Sequence, residues 1–123
     1  MNATEHRLTA ACILAAAAGA STEDPKARCA RGALAGLGGY CCGTLPDLIE
    51  PATHPHHRQF FHSVLFAVMV ACAVYRLHHW EPETDGAALL RVLSLIAGGA
   101  YLAHLALDAG TPRSLPLIGR LPR

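Results

Sequence analysis

The chain has 123 residues, of which 52% are hydrophobic and 15% charged, and its formal net charge is +1. That length fits one domain, residues 1–123, while the charged share falls below the roughly one quarter usual in soluble domains. Scattered Lys and Arg near charge balance exclude a basic nucleic-acid-binding surface, so no nucleic-acid partner is expected.

The chain opens with Thr4-Glu5-His6-Arg7 and an apolar run from Leu8 to Ala20. A retained helix with Thr4 as N-cap is one reading. A signal peptide cleaved after Ala18-Gly19-Ala20 is the other, although Glu5 and His6 fit its charged start poorly. The polar turn Ser21 to Lys26 follows, with Ser21 or Thr22 as cap and Pro25 in the first turn of a second helix. Gly32-x-x-x-Gly36 and Gly39-x-x-x-Gly43 have the small-residue spacing that lets helices approach closely. In water each such glycine would weaken a helix by roughly 1 kcal/mol. Pro46 is expected to end this helix. The five cysteines (Cys12, Cys29, Cys41, Cys42 and Cys72) are odd in number, form no C-x-x-C, and read as small buried hydrophobes.

The next stretch departs from this apolar pattern. Asp47, Glu50, His54, His56, His57 and His62 fall within 16 residues of one another. Imidazole and carboxylate without a thiolate pair suit zinc, with Mn or Fe as alternatives. Phe60 to Leu77 is then an apolar helix without charge until Arg76, approaching the ~20 residues that cross a bilayer. A polar link, His78 to Gly86, carries Trp80, a residue suited to a membrane interface. Gly86 to Leu107 is a second apolar candidate, with Arg91 placed to snorkel near one end and His104 and Asp108 at the other. From Gly110 the proline-rich tail is expected to be extended or turned.

The expected fold is therefore all-α, a four-helix up-down bundle embedded in a membrane, with a soluble bundle as the alternative. Alternating helices would bring His6, Asp47, His57, His62, His104 and Asp108 to one end. His104 and Asp108, spaced i and i+4, share a helix face. Each has an ordinary alternative. His104 with Asp108 reads also as a helix-end hydrogen-bonded pair, Asp47 and Glu50 as turn residues, and His57 and His62 as a solvated loop. His6 reads also as an exposed terminal histidine, and Ser63 as the cap of the third helix. His54, His56, His78 and His79 read as surface-loop residues.

Leu45-Pro46-Asp47-Leu48-Ile49-Glu50, His57-Arg58-Gln59-Phe60-Phe61-His62-Ser63 and His104-Leu105-Ala106-Leu107-Asp108-Ala109-Gly110-Thr111-Pro112, after an early His6, form a pattern. It resembles the LexA-binding, inner membrane-associated family of metal-dependent hydrolases. The resemblance covers most of the chain. It departs at Ile49, where the family has a second aspartate, at Glu50, where it has a histidine, and at Gln59, where it has a glycine. Glu50 is the residue able to replace the ligand lost at Ile49.

The resemblance implies a hydrolase in a bacterial or archaeal cytoplasmic membrane, acting through a metal-activated water on a phosphoester or lipid-like substrate. Metal ligands would come from His6, Asp47, Glu50, His57, His62, His104 and Asp108. Glu50 or Asp47 would serve as general base, and Arg58 would bind phosphate. Membrane lipids and a small or amphiphilic substrate are the expected partners, and no protein partner is readable. The competing readings are a non-catalytic membrane subunit with a structural metal or partner-binding role, and a secreted helical domain.

Overall fold

The computed structural model of the chain describes residues 2–51, 53, 59–112 and 114–119. Among them there is no strand, and four long helices carry the fold: α1 (Ala3–Ala20), α2 (Pro25–Cys42), α4 (Val64–His79) and α5 (Asp85–Ala109). Between α2 and α4 lie the short α3 (Leu45–Ile49) and a 3-10 turn, Phe60–His62.

The helix starts are set by side chains that catch orphan backbone N–H groups. Asn2, not Thr4, caps α1: the Glu5 N–H donates to its Oδ1 at 2.9 Å, and the Glu5 carboxylate accepts from the Asn2 N–H at 3.1 Å. Asp24, not Ser21 or Thr22, caps α2, accepting from the Ala27 N–H at 2.8 Å with Pro25 in the first turn. Ser21 serves the other end of the link, donating to the Ala18 carbonyl at 2.6 Å. Pro46 does not stop α2, which ends at Cys42; it sits instead in the first turn of α3. Ser63 caps α4 through the Phe66 N–H at 3.1 Å, so the third apolar segment is a 3-10 turn followed by a 16-residue helix and not one continuous helix.

The helices alternate in direction. The start of α1 meets the end of α2, where a side-chain carbon on Gly43 would stand 2.7 Å from the Arg7 Cα. One turn inward, a carbon on Gly39 would stand 2.7 Å from the Ala10 carbonyl oxygen, and one on Gly36 3.2 Å from the Ala15 methyl. The glycine spacing in α2 is thus the face that lets the two backbones touch, as the small-residue pattern implied. Helix α5 runs alongside this hairpin, with Gly99 against Leu14 and Gly38 against Ile96. The principal packing partners of α4 are α5 and the 3-10 turn, so it lies against one flank and buries no residue completely. Near the start of α5, the Arg91 Nε and Nη2 donate to the last carbonyls of α4, Leu77 at 2.7 Å and His78 at 2.6 Å. The tail completes the start of α4, with Val64 N–H donating to Pro116 O at 2.8 Å and Leu65 N–H to Leu117 O at 3.1 Å.

The apolar core is a small cluster of Ala10, Ala100 and Ala103, flanked by Leu14 and Cys42. Large apolar side chains lie outside, including Leu34, Leu37, Tyr75, Leu89 and Leu90, each at least 60% exposed. The cysteines follow the same inversion: all are free, and Cys12, Cys29, Cys41 and Cys72 are exposed, against the expectation of burial. Helix α5 is long and apolar enough to cross a membrane, yet only 17% of its apolar window is buried within the protein. The apolar run on α4 yields a shorter helix than the sequence suggested.

Gly39→Ala forces the Ala10 backbone to move, and overpacking of this kind costs about 1–3 kcal/mol. Gly86, with open space around it, is the control; Gly86→Ala is expected to be neutral or stabilising. Thermal unfolding of both variants in detergent, followed by circular dichroism, checks the difference.

Candidate metal centre

Five side chains from four segments meet at one end of the molecule. His6 comes from the second turn of α1, Asp47 from α3, His62 from the 3-10 turn, and His104 and Asp108 from the last turns of α5. The His104 Nε2 lies 3.4 Å from Asp108 Oδ2 and 3.5 Å from Asp47 Oδ1. The His62 Nε2 lies 3.3 Å from the same Asp47 oxygen and 3.9 Å from Asp108 Oδ2. His6 reaches the other Asp108 oxygen, Oδ1, at 3.5 Å, and its ring stacks on His104 with centroids 3.7 Å apart.

These distances discriminate between chemistries. Charge-assisted N–H···O bonds run at about 2.7–2.9 Å, so the contacts above are too long for a direct network. Two donors bound at about 2.1 Å to one tetrahedral ion stand about 3.4 Å apart. Two groups of donor atoms lie close enough together to share an ion, all within 4.8 Å of one another: His6 with His104 and Asp108, and Asp47 with His62 and His104.

The supports aim the donors. His104 Nδ1 is 2.8 Å from the Gly43 carbonyl, an oxygen that only accepts, so Nδ1 carries a hydrogen and Nε2 is the atom left facing the carboxylates, to hold a proton or an ion. That Nε2 is fully buried and has no hydrogen-bond partner. A buried imidazole nitrogen facing two carboxylates is unfavourable unless a proton or a metal cation lies between them. Each donor group could therefore hold a divalent ion, His6, His104 and Asp108 in one and Asp47, His62 and His104 in the other. Burial alone would raise the pKa of Asp47, but positive charge on the neighbouring His104 and His62 rings outweighs burial and holds its carboxyl well below the usual carboxylate range. Asp47 is 37% exposed whereas His62 and Asp108 are at most 2% exposed, so the centre is approached from the Asp47 side.

Glu50 takes a different place from the one expected of a replacement ligand. Its side chain is buried and outside both donor groups. It accepts hydrogen bonds from the backbone N–H groups of Gln59, Phe61 and His62 and contacts His62 Nδ1 at 2.8 Å. Ile49 is 46% exposed and contributes no donor. His54, His56, His57 and Arg58 lie outside the described residues. His78 and His79 sit in the last turn of α4, at the opposite end.

Two supporting groups escaped the sequence reading. The Gly43 carbonyl orients His104, and the Tyr101 hydroxyl donates to the Phe61 carbonyl at 2.9 Å, fixing the turn that carries His62. A backbone carbonyl has no sequence signature. Tyr101, three residues before His104 on the same helix, was the readable signal.

The profile of the YdjM inner membrane protein family matches residues 1–119, and the chain belongs to that family. No curated protein and no solved structure matches the chain.

His104→Ala removes a donor common to both groups and is expected to abolish stoichiometric metal in purified protein, while His79→Ala at the opposite end retains it. Elemental analysis of the two detergent-purified variants beside the parent checks this.

Proposed function

We propose that this member of the YdjM inner membrane protein family is a membrane-bound, metal-dependent hydrolase. The observation that carries the reading is the spacing of the Nε2 and carboxylate oxygens around His104, 3.4–3.5 Å, which suits donors sharing one ion. His6, Asp47, His62, His104 and Asp108 would hold it. Zinc is the first choice for imidazole and carboxylate together, with Mn or Fe as alternatives. When bound, the ion supplies a Lewis acid that polarises an ester and activates water at neutral pH.

The chain's own residues divide the remaining work. Asp108 offers one oxygen towards His6 and the other towards His62 and His104, which fixes the relative placement of three imidazoles. Asp47 is the donor that a substrate meets first, and an ionised carboxylate there can take a proton from water. Glu50 is already committed to four donors, so of the two carboxylates Asp47 is the one that could act as general base, when it is not bound to the ion. His57 as a further ligand and Arg58 as a phosphate-binding group rest on the sequence alone.

The substrate reading follows from the surroundings of Asp47. Its neighbours Leu48 and Ile49 are 75% and 46% exposed, an apolar lip beside a polar centre. With α5 crossing the bilayer and the exposed apolar faces of α4 and α2 against lipid, the centre would lie at headgroup depth. An amphiphilic phosphoester suits both features, and membrane lipids are the natural surroundings. A non-catalytic structural metal site is the second reading, favoured by the near-complete burial of His62, His104 and Asp108.

The protein is expected to leave membranes only with detergent, resisting high salt and carbonate. The zinc-loaded form is expected to hydrolyse at least one member of a panel of soluble phosphoesters and phospholipids, with Asp47→Asn reducing the rate at least 100-fold, the scale of general acid–base catalysis. Bound metal with no turnover on any of them supports the structural reading instead.

A further inference from the structure

We infer that Glu50 is a positioning residue, whose carboxylate fixes the ring of His62 and turns Nε2 towards the Asp47 and Asp108 carboxylates. The purpose of this arrangement rests on the metal-centre reading, but the arrangement itself does not.

Glu50 follows the last residue of α3, and its backbone N–H donates to Pro46 O at 2.9 Å. Its side chain turns back into the protein and is buried. A carboxylate offers about four acceptor sites, and burying one is costly unless they are used. Here they are used. Oε2 accepts from Gln59 N–H at 3.1 Å and His62 N–H at 3.2 Å and meets His62 Nδ1 at 2.8 Å, while Oε1 accepts from Phe61 N–H at 3.1 Å. In every backbone contact the carboxylate is the acceptor, so His62 Nδ1 carries the hydrogen in the fourth. In the neutral ring the lone pair is then on Nε2.

The ring consequently stands between two carboxylates with different tasks. Glu50 holds the Nδ1 edge at 2.8 Å, a hydrogen-bond distance, while Asp47 stands 3.3 Å from Nε2, a spacing suited to two donors on one ion. A carboxylate behind a metal-bound histidine sets its tautomer and raises its basicity. His104 is held in the same manner by the neutral Gly43 carbonyl. Because Glu50 also grips the backbone of residues 59, 61 and 62, the ring and the turn that carries it are placed together.

The test uses the full chain in detergent micelles, with Glu50→Gln, Glu50→Ala and His62→Ala, and cobalt(II) as the spectroscopic probe. Glu50→Gln keeps an acceptor for Nδ1 while losing the charge. It is expected to bind cobalt 10- to 100-fold more weakly than the parent, with an unchanged visible band pattern because the donors are unchanged. His62→Ala is expected to alter the bands. In the metal-free protein, histidine-selective 15N NMR is expected to show the Nδ1–H tautomer of His62 in the parent and in Glu50→Gln, and a tautomer mixture in Glu50→Ala. The inference is overturned if Glu50→Gln changes the cobalt bands as His62→Ala does, which would make Glu50 a ligand. It is equally overturned if the tautomer survives in Glu50→Ala. A parent that binds no cobalt removes the metal-centre reading, while the NMR result still decides whether Glu50 orients His62.

Discussion

Gly43 is the position on which both the packing and the site depend. A side chain there would run into the Arg7 backbone, so only glycine lets the start of α1 close on the end of α2. That closure brings His6 over His104 in a 3.7 Å stack. The carbonyl of the same residue takes the Nδ1 hydrogen of His104 and thereby turns Nε2 inward. One residue thus sets the distance between two helices and the direction of a donor. The ridge of Gly32, Gly36 and Gly39 extends the contact along α1, and the loss of helix propensity it carries is offset by backbone packing that larger residues would prevent.

What this packing encloses is unusual for a soluble chain of this size. The buried side chains are alanines, Pro46, Tyr101, Leu105 and the polar groups His6, Glu50, His62, Ser63, His104 and Asp108. Many bulky apolar residues of α2, α4 and α5, Leu34, Leu37, Val68, Leu89 and Leu90 among them, point outward. In water this distribution would forgo most of the hydrophobic stabilisation available to the chain, at about 25 cal/mol for each Å² left exposed. In lipid the penalty disappears, and the polar interior is held together by its own hydrogen bonds and the ion proposed for it. Membership of an inner membrane protein family agrees with that reading of the surface.

Much of this arrangement was legible in the sequence. Helix count and alternation sufficed to sort His6, Asp47, His62, His104 and Asp108 to one end, and the i, i+4 spacing put the last two on one face. The glycine spacing of α2 named its contact face. Local choices among competing caps were less legible: Asn2 and Asp24 won over Thr4, Ser21 and Thr22, because several polar residues near each helix start offer the same hydrogen bond. The break at Ser63 was hidden within a continuous apolar run, since hydropathy does not register a change from 3-10 to α geometry. Glu50 was read as a spare ligand because counting carboxylates cannot tell an oxygen that faces an ion from one already satisfied by backbone N–H groups.

The geometry also bears on how many ions such a centre would hold. Each donor group, taken alone, suggests a position of its own: one near His6 and Asp108, the other near Asp47 and His62. Both require His104, and both require the same atom, because Nδ1 is committed to Gly43. A single imidazole lone pair binds one ion. Among the described residues the two groups therefore compete for His104 Nε2, and Asp108 reaches towards both through its two oxygens. Asp47, the most exposed donor, is then the one whose release would make room for a substrate oxygen.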